Sequence, residues 1–133
     1  MGFTLTEKIL LAHSMVDRIR PGQISVLRCD LVMANDVSGP LAFRAKEAMG
    51  ARRVFDPTRV VMVADHFDPA RDARSADLPR RLKEWSEAQG VTFYDQGRGG
   101  IEHTLLVEDG WVVPGSVIAG GDSHTCTYGA LGA

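Results

Sequence analysis

The chain has 133 residues, 44% hydrophobic and 24% charged, with a net charge of −2 at neutral pH. That length supports one domain with its own core, and the near-neutral charge gives no footing for a nucleic-acid or membrane partner. No apolar stretch approaches the length of a bilayer span, and the opening Met1-Gly2-Phe3-Thr4 lacks the basic-then-apolar profile of a secretory signal. Two cysteines, Cys29 and Cys126, make no disulfide framework, so a reducing cytoplasm is the expected compartment.

In chain order, the apolar spacing of residues 7–12 predicts a helix capped by Thr4 or Thr6. Arg20-Pro21-Gly22-Gln23 breaks the chain, and residues 24–33, rich in β-branched and apolar side chains, read as a strand containing Cys29. A polar loop over 35–40 leads to a helix over 41–49, stopped by Gly50. After the turn at Asp56-Pro57, the unbroken apolar run 60–64 suits a strand buried on both faces, as in a parallel sheet. A charged helix follows over 75–89, with Leu78, Leu82 and Trp85 at helical spacing; its basic run is interleaved with acids, which suits a solvated face. Then come a strand at 91–94, a glycine-rich loop at 97–100, a helix over 101–107 and a strand over 116–119.

Strands alternating with helices predict an α/β fold, a three-layer α/β/α arrangement around a mainly parallel sheet. There is no internal repeat or linker, so residues 1–133 read as part of one domain. The final Ala130-Leu131-Gly132-Ala133 is small and apolar, as if a buried helix were to begin there and the domain were incomplete.

Ligands in such sheets bind beyond the carboxyl ends of the strands. Two strands deliver acid–imidazole clusters to that edge, Asp65-His66 and Asp122-Ser123-His124, and His103 follows the glycine-rich loop. An imidazole beside a fixed carboxylate is held in one tautomer and moves protons well near neutrality. Singly, Asp65-His66 reads as polar loop residues and His103 as a structural residue in the first turn of a helix. His13 reads as a surface residue. Gly121-Asp122-Ser123-His124-Thr125 is harder to explain structurally, because it gathers small residues, a carboxylate, a hydroxyl and an imidazole behind one strand. Ser123 and His124 are adjacent, are expected to point apart, and make a poor nucleophile–base pair. A zinc site from His66, His103 and His124 lacks supporting His-x-x-x-His spacing, and Cys126 reads as a small buried residue rather than a ligand. Dinucleotide, P-loop and nucleophile-elbow motifs are absent.

Taken together, Asp65-His66, the stretch from Asp95 through Gly100 to His103, Pro114-Gly115, and Gly121-Asp122-Ser123-His124-Thr125 followed by Gly129-Ala130-Leu131-Gly132 resemble the aconitase superfamily in order and approximate spacing. The likeness covers essentially the whole chain. Thr125-Cys126-Thr127-Tyr128, and Pro40 where aconitase proper carries a substrate-contacting glutamine, resemble the isopropylmalate branch. The resemblance implies a hydro-lyase that moves a hydroxyl between neighbouring carbons of a small hydroxy di- or tricarboxylate. In that branch the reaction isomerises 2-isopropylmalate to 3-isopropylmalate in leucine biosynthesis. It implies a [4Fe-4S] cluster acting as a Lewis acid and a small subunit as partner. By position, Asp65 and His66 match the pair that protonates the leaving hydroxyl, and His103 and Asp122 match a second pair. Ser123 matches a polar contact near substrate, and His124 a histidine whose carboxylate partner lies further along the family's chain. The family's cluster cysteines match neither Cys29 nor Cys126, so no metal or cofactor ligand is expected among these 133 residues, and the chain alone is expected to be inactive. Homoaconitate, citrate or dimethylmalate dehydratases, and a non-catalytic domain without the cluster, are the alternatives.

Overall fold

The computed structural model describes residues 2–133. Helix α1, Leu5–Ala12, is capped by Thr4 rather than Thr6: the Thr4 hydroxyl accepts the Glu7 amide hydrogen while the Glu7 carboxylate takes the Thr4 amide. His13 closes the helix, and its side chain is not on the surface as the sequence suggested. It is only 9% exposed, with Nδ1 2.8 Å from the Ile9 carbonyl and Nε2 2.6 Å from Asp30 Oδ2. Asp30 Oδ2 also accepts the Val117 amide hydrogen at 3.0 Å, so one carboxylate ties α1 to the approach of the last strand. These bonds, with help from the charges of His13 and Arg28, hold the Asp30 carboxyl below its ordinary range although burial pushes it up. Stability from this clasp is present above the ordinary carboxylate range and is lost as pH falls through the lowered value. Asp30→Ala should cost about 1–3 kcal/mol in urea unfolding and speed amide exchange in α1 first.

The predicted strand over 24–33 is a correction. Strand β1 spans only Leu31–Asn35, and Cys29 lies before it. Ile24 and Val26 are 98% and 87% exposed, and an isolated bridge between Ser14 and Leu27 is the pairing seen in that stretch. β-branched residues favour a strand where a neighbouring strand and a packed face exist, and here they have neither. Helix α2, Gly39–Ala48, starts two residues earlier than expected because Pro40 fits the first turn, where its missing N–H is not needed. It ends before Gly50, whose φ of +71° is the left-handed value foreseen for a cap. Strand β2, Val60–Val63, is buried throughout. Helix α3, Ala73–Gln89, begins where the Asp72 carboxylate accepts the Ser75 amide hydrogen and ends at the left-handed Gly90. Its outer face carries Arg80 paired with Asp77 and Glu84, a solvated face as expected. Strand β3, Thr92–Tyr94, helix α4, Glu102–Glu108, and strand β4, Ile118–Gly120, complete the alternation. At the end of the chain a 3-10 helix spans Thr125–Leu131 and buries Tyr128.

The four strands form one all-parallel sheet in the order β3-β2-β1-β4. Alternation along the strands sorts the core into two layers. Leu31, Met33, Val61 and Val63 pack with Leu106 of α4 and Tyr128, whereas Ala34, Val60 and Met62 pack with Phe43 of α2 and Leu82 of α3. The α/β/α expectation therefore holds. β1 runs on to β2 and β3 on one side, and β4 returns to its other side. The strand order reverses between β1 and β4, which opens a crevice at their carboxyl ends. None of the helices among the described residues is long and apolar enough to cross a membrane.

Candidate active site

Four segments deliver side chains to that crevice: the end of β1 with Asn35 and Asp36, the end of β2 with Asp65 and His66, the start of α4 with Glu102 and His103, and the loop after β4 with Asp122–His124. Asp65, His66, Glu102, His103, Asp122, His124 and Thr127 line a cleft of about 370 Å³. Residues from distant parts of the chain thus meet because parallel strands all end on one edge.

His66 Nδ1 donates to Asp65 Oδ1 at 2.7 Å, and Asp65 Oδ2 accepts the Glu102 amide hydrogen at 2.8 Å. Both oxygens of Asp65 are thereby fixed, and Nε2 of the 38%-exposed His66 side chain is left facing the cleft, 3.6 Å from Asp122 Oδ2. Burial disfavours the imidazolium, but the Asp65 hydrogen bond and the charges of Asp65, Glu102 and Asp36 outweigh it and raise the His66 pKa. In the second pair, His103 Nε2 lies 2.8 Å from Asp122 Oδ1, and Nδ1 lies 3.0 Å from the Tyr128 hydroxyl. A neutral His103 with its proton on Nε2 satisfies both contacts, with the Tyr128 hydroxyl donating to Nδ1. Asp122 is held far below the ordinary carboxylate range by the His103 bond first and by the His124 amide second. Tyr128, 2% exposed, is pushed up to about 12 by burial and the surrounding carboxylates, so it keeps its hydrogen for that bond.

Ser123 and His124 do not point apart as expected: Ser123 Oγ is 3.2 Å from His124 Nδ1. The His124 side chain is 80% exposed, and the same Nδ1 is a long 3.3 Å from Asp122 Oδ1, so the contact is a local loop bond without a buried partner to orient it. Cys126 is exposed, not buried. The 3-10 turn places Tyr128 in the core and faces Cys126 outward.

Sequence reasoning missed three buried polar residues. Asp36 is fully buried and accepts the amide hydrogens of His66 and Phe67 at 3.2 and 3.0 Å, which sets the path of the chain after β2. Asn35 and Glu102, each 1% exposed, bond through Asn35 Nδ2 to Glu102 Oε1 at 3.0 Å. The signal was Asn35-Asp36 at the carboxyl end of a strand, and an acid immediately before His103.

Gly120 and Gly121 let the Asp122 loop sit this close to β1. A Cβ on Gly120 would collide with the Thr125 side chain and come within 2.8 Å of Met33 Sδ; one on Gly121 would lie 2.7 Å from Ser38 Oγ. Ser38 is itself fixed, since its hydroxyl and amide both bond to Asn35 Oδ1. Gly121→Ala should therefore destabilise by about 1–3 kcal/mol in denaturant unfolding and displace Asp122 from His103, visible as a changed His103 ring NMR signal.

Three sets of donor atoms come within 4.8 Å of one another: His103, Asp122 and His124; Asp36, Asp65 and His66; and His66, Glu102 and Asp122. The carboxylates in them are already engaged by imidazole or amide donors, and His66, His103 and His124 do not converge on one point. An iron–sulfur cluster is not matched by the thiols of this chain. Cys29 precedes β1 at the amino edge of the sheet, Cys126 follows β4 at the carboxyl edge, and two such separated thiols cannot supply a cluster's set of thiolates.

The assembly is that of a parallel α/β domain with two histidine–carboxylate pairs at its switch point. The chain belongs to the aconitase family (aconitate hydratase), which it matches over residues 7–133. It is 72% identical over its whole length to 3-isopropylmalate dehydratase large subunit 2 of Rubrobacter xylanophilus, of which it covers 31%. It is 50% identical to the 3-isopropylmalate dehydratase large subunit of Desulfitobacterium hafniense and 47% identical to that of Aquifex aeolicus, covering 32% and 31% of them. The chain thus spans about a third of the length of these relatives.

Proposed function

We propose that this chain is the proton-handling part of the large subunit of a hydro-lyase that isomerises 2-isopropylmalate to 3-isopropylmalate in leucine biosynthesis. The observation that carries the reading is the meeting of Asp65–His66 with His103–Asp122 in one cleft, in a chain 72% identical to a dehydratase subunit of that name. Residues 1–133 would form the first part of the aconitase-type domain. His66 Nε2 donates a proton to the departing hydroxyl, and Asp65 holds the ring so that this nitrogen faces the substrate. His103 and Asp122 form a second pair that orients the bound species. Ser123 and His124, at the exposed mouth, contact a substrate carboxylate or hydroxyl. The [4Fe-4S] cluster of the family would be held by residues other than Cys29 and Cys126. The relatives' designation as large subunits supports a small-subunit partner, and the two unpaired cysteines suit a cytoplasmic setting.

The test exchanges this chain for the corresponding third of the Rubrobacter relative. The chimera is combined with that protein's small subunit, reconstituted with iron and sulfide under anaerobic conditions, and assayed on 2-isopropylmalate, homoaconitate, citrate and dimethylmalate. Turnover of 2-isopropylmalate above the others is expected. A chimera that folds and carries the cluster yet turns over none of them would overturn the reading. The 133-residue chain alone, given the same iron and sulfide, is expected to show no stable cluster absorbance.

A further inference from the structure

Glu102 is 1% exposed and stands between the two histidine–carboxylate pairs, yet the reaction proposed for the site leaves it without a part. Resting on that reading for its role in turnover, we propose that Glu102 is a positioning residue, a buried carboxyl whose protonation is coupled to that of His66 and sets the pH range in which the cleft is in its working state.

Its contacts reach both pairs. The Glu102 amide donates to Asp65 Oδ2, and its Oε1 lies 3.3 Å from His103 Nε2, the nitrogen that bonds Asp122. One donor atom each from Glu102, His66 and Asp122 lie within 4.8 Å of one another. Asn35 decides which oxygen carries the proton. Asn35 Oδ1 is occupied by the Val37 and Ser38 amides and the Ser38 hydroxyl, so its Nδ2 must face Glu102, and Oε1 must accept. The proton then belongs on Oε2, the buried oxygen that has no partner. An ionised Glu102 would be a desolvated charge with one neutral amide donor. It would face Asp65 from β2 and Asp122 from the loop after β4. Only His66, His103 and the exposed His124 could offset it with positive charge. Burial first, and the charges of Asp65 and Asp122 after it, push the carboxyl up to about 7, with Asn35 and His103 opposing. A carboxyl in that range responds to its neighbours. When His66 is protonated Glu102 ionises more readily, and when His66 gives up its proton Glu102 keeps its own, so the two titrate as a coupled set.

The test is NMR of the 133-residue chain with carbon-13 carboxyl and nitrogen-15 imidazole labels. The Glu102 carboxyl carbon is expected to titrate near neutrality, with a matching inflection in the His66 ring nitrogens. In Glu102→Gln, whose amide oxygen still accepts from Asn35, that shared inflection should vanish and the His66 midpoint should fall by about half a pH unit or more. A Glu102 carbon that titrates in the ordinary carboxylate range overturns the proposal, and that measurement needs no variant. An unmoved His66 midpoint in a folded Glu102→Gln chain overturns it too. In the chimeric complex the same variant should move the kcat/KM pH profile in the same direction, and an unmoved profile would refute the positioning role. Because the NMR result does not depend on turnover, an inactive chimera with coupled Glu102 and His66 refutes the hydro-lyase reading alone. An active chimera with uncoupled groups refutes this inference alone.

Discussion

His66→Gln in the chimeric complex is expected to lower kcat by about 10²–10⁴-fold while KM stays within about threefold. The loss follows from geometry. Nε2 of His66 faces the cleft and is not spent on a close protein bond, the Asp122 carboxylate oxygen being 3.6 Å away, while Nδ1 is spent on Asp65 at 2.7 Å. Glutamine fills similar space and can still donate to Asp65, but it carries no proton that can be given up near neutral pH. A group that acts on the departing hydroxyl matters in the transition state more than in binding, so the effect should fall on kcat. Asp65→Asn gives a second reading of the same idea. It keeps the shape but removes one of two acceptors, so the His66 ring or the Glu102 amide loses its partner. Its kcat should fall less than that of His66→Gln, and the His66 pKa should fall with it, because the bond and charge that raise it are weakened. Full activity in His66→Gln would remove His66 from the chemistry.

The second large effect is on stability. Folding raises the Glu102 carboxyl from an ordinary value of 4.5 to about 7, so between those values the folded chain binds more protons than the unfolded one. Stability therefore falls as pH rises through that window, by up to roughly 3 kcal/mol, because each pH unit between the two values is worth about 1.4 kcal/mol. Glu102→Gln cannot titrate. The margin by which its unfolding free energy exceeds the parent's should be about 2–3 kcal/mol wider at pH 8 than at pH 5, measured by urea unfolding at each pH. His66 also has a raised pKa and loses its stabilisation as pH rises through the folded value; because the Glu102 charge contributes to that raise, the His66 part is smaller in the variant, and the difference reports the two coupled groups together. Asp122 acts in the opposite sense and at the other end of the scale: its stabilisation is complete above the ordinary carboxylate range and disappears in acid. Parallel pH curves for parent and variant would show that Glu102 is not the proton-binding group.

Much of the fold was legible because its causes are local. The run at Val60–Val63 reads as a strand buried on both faces, and it is the central β2. The caps at Gly50 and Gly90 and the helical spacing of Leu82 and Trp85 mark helices that are present. The errors fall where a residue's state depends on a distant partner. Residues 24–30 have strand composition but no strand to pair with, and His13 is inward because Asp30 waits for it. Cys126 is outward because the 3-10 turn commits Tyr128 to the core instead.

The sequence by itself determined the α/β alternation and picked out four of the groups that line the cleft, Asp65, His66, His103 and Asp122, because strand ends and glycine-rich loops announce themselves through local composition. It also determined the family through the ordered run from Asp65 to Gly132. Only the tertiary structure decided which acid serves which imidazole. His103 bonds Asp122, 19 positions away, and the Asn35 amide reaches Glu102 across 67 positions. Those pairings depend on parallel strands bringing their carboxyl ends to one edge and on Gly120 and Gly121 admitting a close approach, and neither is a property of any short stretch of sequence. Burial, which turns Glu102 from an ordinary acid into one that titrates near neutrality, exists only once the layers close around it.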